Sequence, residues 1–242
     1  MSSLNFTKDA STEQGTGSWR QHRAGCVTGS GFANVIAKSK RGGAAASVEL
    51  AARRNYRMQM MTERVTGIPM SDISAASLAW GHENEGPAKL AYEMWKAQYG
   101  EHVYVEASGF VQHQMLDWVG TSPDGLVGEH GMVEVKCPFN SWNHLMTIIN
   151  ASALLAKALL GETDFIPVAI PEEHIPQIQG NLWVLERQWC DFISYDPRVP
   201  PHLQLYVYRV ERDEAYIKML EAETVKFLDE VESNVSLLLE QP

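Results

Sequence analysis

The sequence predicts an α/β domain in which helices flank a central mixed β-sheet. Three observations carry that prediction. The 242 residues are 45% hydrophobic and 21% charged, an ordinary globular composition with enough chain for a sizeable core. Helix-forming stretches come first, a block of short β-branched and aromatic runs follows, and helices and strands then alternate to the C-terminus. No uninterrupted apolar run reaches the roughly 20 residues of a membrane span, and no internal repeat or low-complexity tract breaks the pattern.

Residues 1–17 are polar, lack the apolar core of a secretory signal, and read as a flexible N-terminal arm ahead of a single domain over 18–242. Thr28 or Ser30 is placed to cap a short helix running through Ile36. Residues 38–43 form a basic loop, and residues 44–66 are rich in helix formers and stop at Gly67 and Pro69. A third helix is expected after Asp72 or Ser74, with a break or kink near Gly86 because Pro87 has no N–H to donate. The runs HVYVEASGFVQ, LDWVGTSPDGLVG and MVEVKCP then read as a strand meander. Helical composition returns over 142–160, three prolines make 162–176 an irregular excursion, and 177–188 is helical again. CDFISY and LQLYVYRV follow as strands, and 213–239 as a long acidic helix.

Charge and cysteine usage narrow the function classes. The net charge is -10, yet residues 1–65 hold 10 Lys and Arg against 4 Asp and Glu, so the acidity lies in the remainder. A basic N-terminal third is either a localised phosphate-binding surface or an uneven scatter of helix-surface charge. Cys26, Cys137 and Cys190 are widely spaced with no CxxC. This argues against a disulfide framework or a structural zinc and for a reducing, cytoplasmic setting.

The chemistry concentrates in Ser122-Pro123-Asp124-Gly125 and Glu134-Val135-Lys136. Residues two apart on a strand share a face, so Glu134 and Lys136 project together while Val133, Val135 and Cys137 face a core. Two carboxylates can hold a hard divalent cation, and a lysine beside them can orient or deprotonate a water and stabilise a phosphoryl transition state. The competing reading is an ordinary hairpin with a solvated Glu–Lys pair. Register separates them. An odd loop such as Gly128-Glu129-His130 puts Asp124 on the face of Glu134, whereas a two-residue turn at Glu129-His130 puts them on opposite faces.

The blocks SWRQHRAGCVTGS, LAWGHENE, TSPDG, EVKCPF and QIQGNLW occur in that order along the chain. Together with the Pro-Asp…Glu-x-Lys pattern they resemble the phage lambda exonuclease family, the YqaJ-type viral recombinases of the PD-(D/E)xK nuclease superfamily. The resemblance runs from Trp19 to the C-terminal helix and implies a restriction-endonuclease-like core. It further implies a processive, Mg2+-dependent 5′→3′ exonuclease of double-stranded DNA ends, with two ions per site and Mn2+ as a substitute. Such an enzyme releases 5′-mononucleotides and leaves a 3′ single-stranded overhang for a single-strand annealing protein, and members of this type form a homotrimeric ring. By position, Asp124, Glu134 and the Val135 carbonyl ligate metal, Lys136 is the catalytic lysine, and Glu85 serves the second metal or its water. Gln177 matches the helix glutamine near the site, while Arg23, Ser30 and Ser122 match the positions that hold a terminal 5′-phosphate.

Each assignment has a plainer rival. Glu85 is otherwise a solvated helix glutamate, Ser30 a cap, Gln177 and Gln179 solvent-facing, and Trp19, Trp80 and Trp183 core residues. Leu78 is either an exposed wedge that helps separate strands or a buried helix leucine. His22, His82 and His174 lie near the proposed site and are assigned no ligand role. Two features depart from the family pattern: a longer stretch between Phe139 and Gln177, and His174 where a tyrosine is common. The alternative functions are a PD-(D/E)xK endonuclease, or a non-catalytic scaffold that binds DNA ends.

Overall fold

The structure is a computed structural model that describes residues 14–37, 49–70, 76–161 and 166–241. Most of the N-terminal arm, the basic loop at 38–43 and the cap expected at Asp72 or Ser74 therefore lie outside the described residues. Among the described residues the strands are β1 (Val105–Glu106), β2 (Val111–Gln112), β3 (Gly120–Thr121), β4 (Gly125–Val127), β5 (Gly131–Lys136), β6 (Trp189–Tyr195) and β7 (Leu205–Glu211). The helices are α1 (Gly17–Arg23), α2 (Phe32–Val35), α3 (Ala51–Thr66), α4 (Ala76–Gln98), α5 (Ser141–Asn150), α6 (Ala153–Leu160), α7 (Ile175–Leu185) and α8 (Glu214–Leu239).

The main sheet runs β1-β4-β5-β6-β7, and β2 pairs with β3 separately. Only β5 and β6 are parallel within the main sheet, so the sheet is mixed as expected. A parallel neighbour requires a long crossover, and α5, α6 and α7 supply it. The alternation along β5 decides what covers each face. Val133 and Val135 pack with Ala88 and Tyr92 of α4. Met132, two residues before Glu134, packs with Ile178 and Leu182 of α7 and with Phe192 of β6. A third cluster joins Val27, Phe32, Tyr56 and Met60 to Ile217, Leu220, Phe227 and Val231 of α8, anchoring the N-terminal helices to the frame.

Several expectations need correcting. α4 runs unbroken through Pro87. The carbonyl deprived of its donor is that of Glu83, which is exposed to water, and burial of Ala88 and Tyr92 holds the next turns in line. The helical stretch at 142–160 is two helices, because Ser152 accepts from Leu155 N and starts α6 afresh. The helix near Ile36 shrinks to a 3-10 turn over Gly29–Gly31 followed by one turn of α2, and Thr28 makes no side-chain cap bond there. Of the three tryptophans read as core, Trp183 is buried at 6% exposure, while Trp19 and Trp80 are half-buried. No helix among the described residues is long and apolar enough to cross a membrane.

Candidate active site

The hairpin between β4 and β5 sets the geometry. Its pairs run Gly125↔Val133, Leu126↔Met132 and Val127↔Gly131, leaving a three-residue loop at Gly128, Glu129 and His130. That odd loop puts Asp124 opposite Glu134, on the side of β5 that carries Lys136. Asp124 is fixed there because its Oδ2 accepts from Val135 N at 2.7 Å. The glycine after it is obligatory for space, since a Cβ on Gly125 would lie 2.2 Å from Val105 Cγ1. The Pro-Asp-Gly sequence thus delivers a carboxylate to the end of β5 while letting β1 close over the strand behind it.

Glu134 is buried at 1% exposure. Its Oε1 accepts from Lys136 Nζ at 2.6 Å, and its Oε2 accepts from Asn181 Nδ2 at 3.3 Å. Lys136 also donates to Gln177 Oε1 at 3.2 Å, tying the strand to the first turn of α7. Asn181 was not anticipated. It lies four residues after Gln177, hence on the same helical face. Thr121 donates to Asn181 Oδ1, which turns its amide N–H toward Glu134. The i, i+4 spacing in QIQGN puts Asn181 on the face of Gln177, but its meeting with Glu134 depends on how α7 docks. Gln179, by contrast, is buried and structural, bonded to Glu211 O and Asp213 N.

The electrostatics are unbalanced. Burial pushes the Asp124 carboxyl up to about 8, and the neighbouring charges of Glu134 and Glu85 add to the shift against the opposing pull of Lys136. Burial alone lowers the pKa of Lys136, but the charges of Glu134 and Asp124 outweigh it and hold the ammonium above its usual value. Glu85 itself pairs with Lys89 at 2.5 Å, so it acts on Asp124 through its field. Among the described residues no three His, Cys, Asp or Glu side chains converge as a ready-made metal cage. The side chains that could hold a cation are instead the two carboxylates Asp124 and Glu134, whose oxygens suit one that keeps several waters.

The residues expected to hold a phosphate lie beside this cluster. Trp19 Nε1 donates to Ser122 Oγ at 2.9 Å, and the Arg23 guanidinium stacks 4.0 Å from the Trp19 ring. Arg23 Nη2 donates to Thr28 Oγ1 at 3.4 Å. Trp19 thus links Arg23 to Ser122, two residues before Asp124. Ser30 is exposed on the 3-10 turn that follows Thr28. Leu78 is 48% exposed near the start of α4, so it is not a core leucine. His174 is half-buried and stacks on Phe192 at 5.4 Å, where burial and then the charge of Lys136 lower its pKa to about 4 and keep it neutral. Cys26, Cys137 and Cys190 are free thiols.

The sequence profile of the YqaJ-like viral recombinase domain matches residues 18–188. The crystal structure of an alkaline exonuclease, LHK-Exo from Laribacter hongkongensis, is 34% identical, with 92% of this chain and 96% of that chain covered and a TM-score of 0.71. The same protein in complex with dAMP matches at a TM-score of 0.72 and the same identity. A phage-related exonuclease from Haemophilus somnus 129PT shares the fold at 12% identity, with 88% of this chain and 96% of that chain covered and a TM-score of 0.62. Among curated protein sequences none matches this chain.

Proposed function

Since the chain belongs to the YqaJ-like viral recombinase family, with a restriction-endonuclease-like fold, we propose that it is a metal-dependent exonuclease of double-stranded DNA. It hydrolyses the 5′-ended strand processively, releases 5′-mononucleotides, and leaves a 3′ overhang for a single-strand annealing protein. The observation that carries this reading is the Asp124–Glu134–Lys136 cluster at the end of β5, in which the ammonium pairs with Glu134 and Asp124 is held on the same face by the Val135 N–H. The dAMP complex of the 34% identical relative supports a deoxynucleoside monophosphate as the product.

Two carboxylates and the Val135 carbonyl are all-oxygen donors, and burial, with the charges of Glu134 and Glu85 adding to it, lifts the Asp124 pKa. They fit Mg2+, with Mn2+ as a substitute, and Glu85 serves a second ion or its water once released from Lys89. When bound, the metal lowers the pKa of an attacking water and neutralises charge on the scissile phosphate. The remaining work belongs to the chain. Lys136 has three N–H donors, two of them engaged by Glu134 and Gln177. The third is offered to a phosphoryl oxygen or to the water. Its raised pKa keeps it an ammonium, so it orients and stabilises charge and does not act as a base. Asn181 holds Glu134 in place, and Arg23, Ser122 and Ser30 receive the terminal 5′-phosphate one nucleotide away. Leu78 serves as the wedge that parts the strands.

Processivity follows if three copies close a ring around the duplex, the arrangement this family membership favours, with the cytoplasm as the site of action. A monomer mass by light scattering at micromolar concentration would remove the ring. The reaction is tested on a linear duplex with one 5′-phosphorylated, 3′-labelled strand, in Mg2+ or EDTA, beside Lys136→Ala. Mg2+-dependent shortening from the 5′ end, absent in the variant, is the expected result. Nicking of closed circles without shortening would move the protein to the endonucleases, and no cleavage of either substrate would leave it a DNA-end-binding scaffold.

A further inference from the structure

Immediately beyond Lys136 the chain presents two large aromatic side chains to solvent. Phe139 is 54% exposed and Trp142 62% exposed. Leaving such rings in water forgoes the burial that aromatic side chains normally gain, and here the backbone that carries them is firmly built. Arg198 donates to the Phe139 carbonyl at 2.9 Å and to the Pro138 carbonyl at 3.0 Å. Arg198 is in turn gripped by Asp196, which is fully buried, through two bonds of 2.8 Å. Burial works against the Asp196 carboxylate, but hydrogen bonds from Arg198 and Ser141 outweigh it and hold its pKa at about 2, so the grip persists at any working pH. The guanidinium also stacks on Trp80 at 4.1 Å, and Trp80 meets Phe139 edge-on at 6.4 Å. At Trp142 the backbone N–H donates to Asn140 Oδ1 at 3.0 Å, the cap that starts α5.

The rim thus holds two exposed rings on a rigid frame, three and six residues after the lysine of the cluster. Beside the catalytic strand opens a cavity of about 630 Å³, lined by Lys136, Pro138, Asn143, Thr147, Glu172 and Glu173; its lining includes the chain neighbours of Phe139 and Trp142 but neither ring. Lys136 carries charge, but the rings offer none, so they suit the uncharged faces of nucleobases rather than phosphates. Bases inside a duplex are stacked on each other and present no face, whereas unpaired bases do. We propose that Phe139 and Trp142 form a stacking platform for the unpaired bases of single-stranded DNA at the active-site mouth. The platform rests on the nuclease reading above, because it is the cluster at Lys136 that brings a DNA end to this rim.

The test measures binding in EDTA, where no hydrolysis is needed. A fluorescently labelled, 5′-phosphorylated oligothymidylate and an abasic oligomer of equal length are titrated against wild type, Phe139→Ala, Trp142→Ala and Trp142→Phe. Each alanine variant should weaken binding of the base-bearing strand between about 5- and 100-fold, the effect of losing one base–aromatic stack. Binding of the abasic strand should stay at the wild-type level, and Trp142→Phe should keep most of the affinity. Equal losses on both strands, no loss on either, or no binding by the wild type would overturn the platform. So would a changed mass of the alanine variants in light scattering, since the rim would then be a contact between copies. The two readings fail separately: base-dependent binding without duplex shortening removes only the exonuclease, and shortening with base-independent binding removes only the platform.

Discussion

Glu134 on β5 and Asp191 on β6 are each 1% exposed, and they project from opposite faces of the same sheet. On the α4 face, Asp191 accepts from Arg209 Nε at 2.8 Å, from Arg209 Nη2 at 2.9 Å and from Tyr92 OH at 2.8 Å, with Lys96 at 3.8 Å. On the α7 face, Glu134 has one ammonium at 2.6 Å and one neutral amide, and a second carboxylate stands across from it. A buried charge kept only for the fold is saturated with partners, because an incomplete one costs several kcal/mol. The α7 face breaks that rule, and there burial, joined by the charges of Glu134 and Glu85, lifts Asp124 to about 8. The contrast locates function by charge balance rather than by burial.

The contrast is broken most severely by substitution at the lysine. Lys136→Ala should lower nucleotide release from duplex ends by about 10²–10⁴-fold, the range for removing one group that acts on the transition state. Circular dichroism should show the fold unchanged. Arg209→Ala on the other face should do the reverse. It strands a buried carboxylate and should cost about 3 kcal/mol of unfolding free energy, the low end for such a loss because Arg209 is 40% exposed. Turnover per folded molecule should be unaffected.

A smaller effect sharpens the comparison through pH. Asp124 has a folded pKa above its unfolded one, so the stability tied to its neutral form is complete below about pH 4 and is lost as pH rises through about 8. In EDTA the melting temperature should fall across that window by several degrees or more. Asp124→Asn should remove this part of the pH dependence, and Mg2+ should restore the wild type most at the alkaline end. A pH-flat melting curve in EDTA would place Asp124 among ordinary solvated carboxylates. Smallest of all, Arg23→Ala should reduce the preference for 5′-phosphorylated over unphosphorylated ends by about tenfold, the lower range for a hydrogen bond to a charged group. Competition between the two ends in one tube reads it directly.

Much of this was legible in the sequence, for identifiable reasons. The mixed sheet, the two C-terminal strands with the long helix after them, and the Pro-Asp…Glu-x-Lys pairing are local patterns, because strand alternation and loop parity fix which side chains meet. Gln177 lies 41 residues from Lys136, and its place near the site was suggested only by family resemblance, with no bond to the lysine foreseen. Asn181 and the Trp19 link between Arg23 and Ser122 depend on how α7 and α1 dock, which no local pattern encodes. Pro87 misled because propensity describes an isolated helix, whereas Ala88 and Tyr92 are held by the sheet. The Asp191 network was invisible as well, since Tyr92, Lys96 and Arg209 lie far from Asp191 in sequence and none forms a motif with it.

The most direct test of the charge-balance account is calorimetric titration with Mg2+, and with Mn2+, of the wild type, Lys136→Ala and Asp124→Asn. The account predicts binding to the wild type, binding at least as tight to Lys136→Ala because a competing cation is gone, and loss of binding in Asp124→Asn. Equal binding by wild type and Asp124→Asn would contradict it, since the surplus negative charge at the end of β5 would then not be what the metal answers.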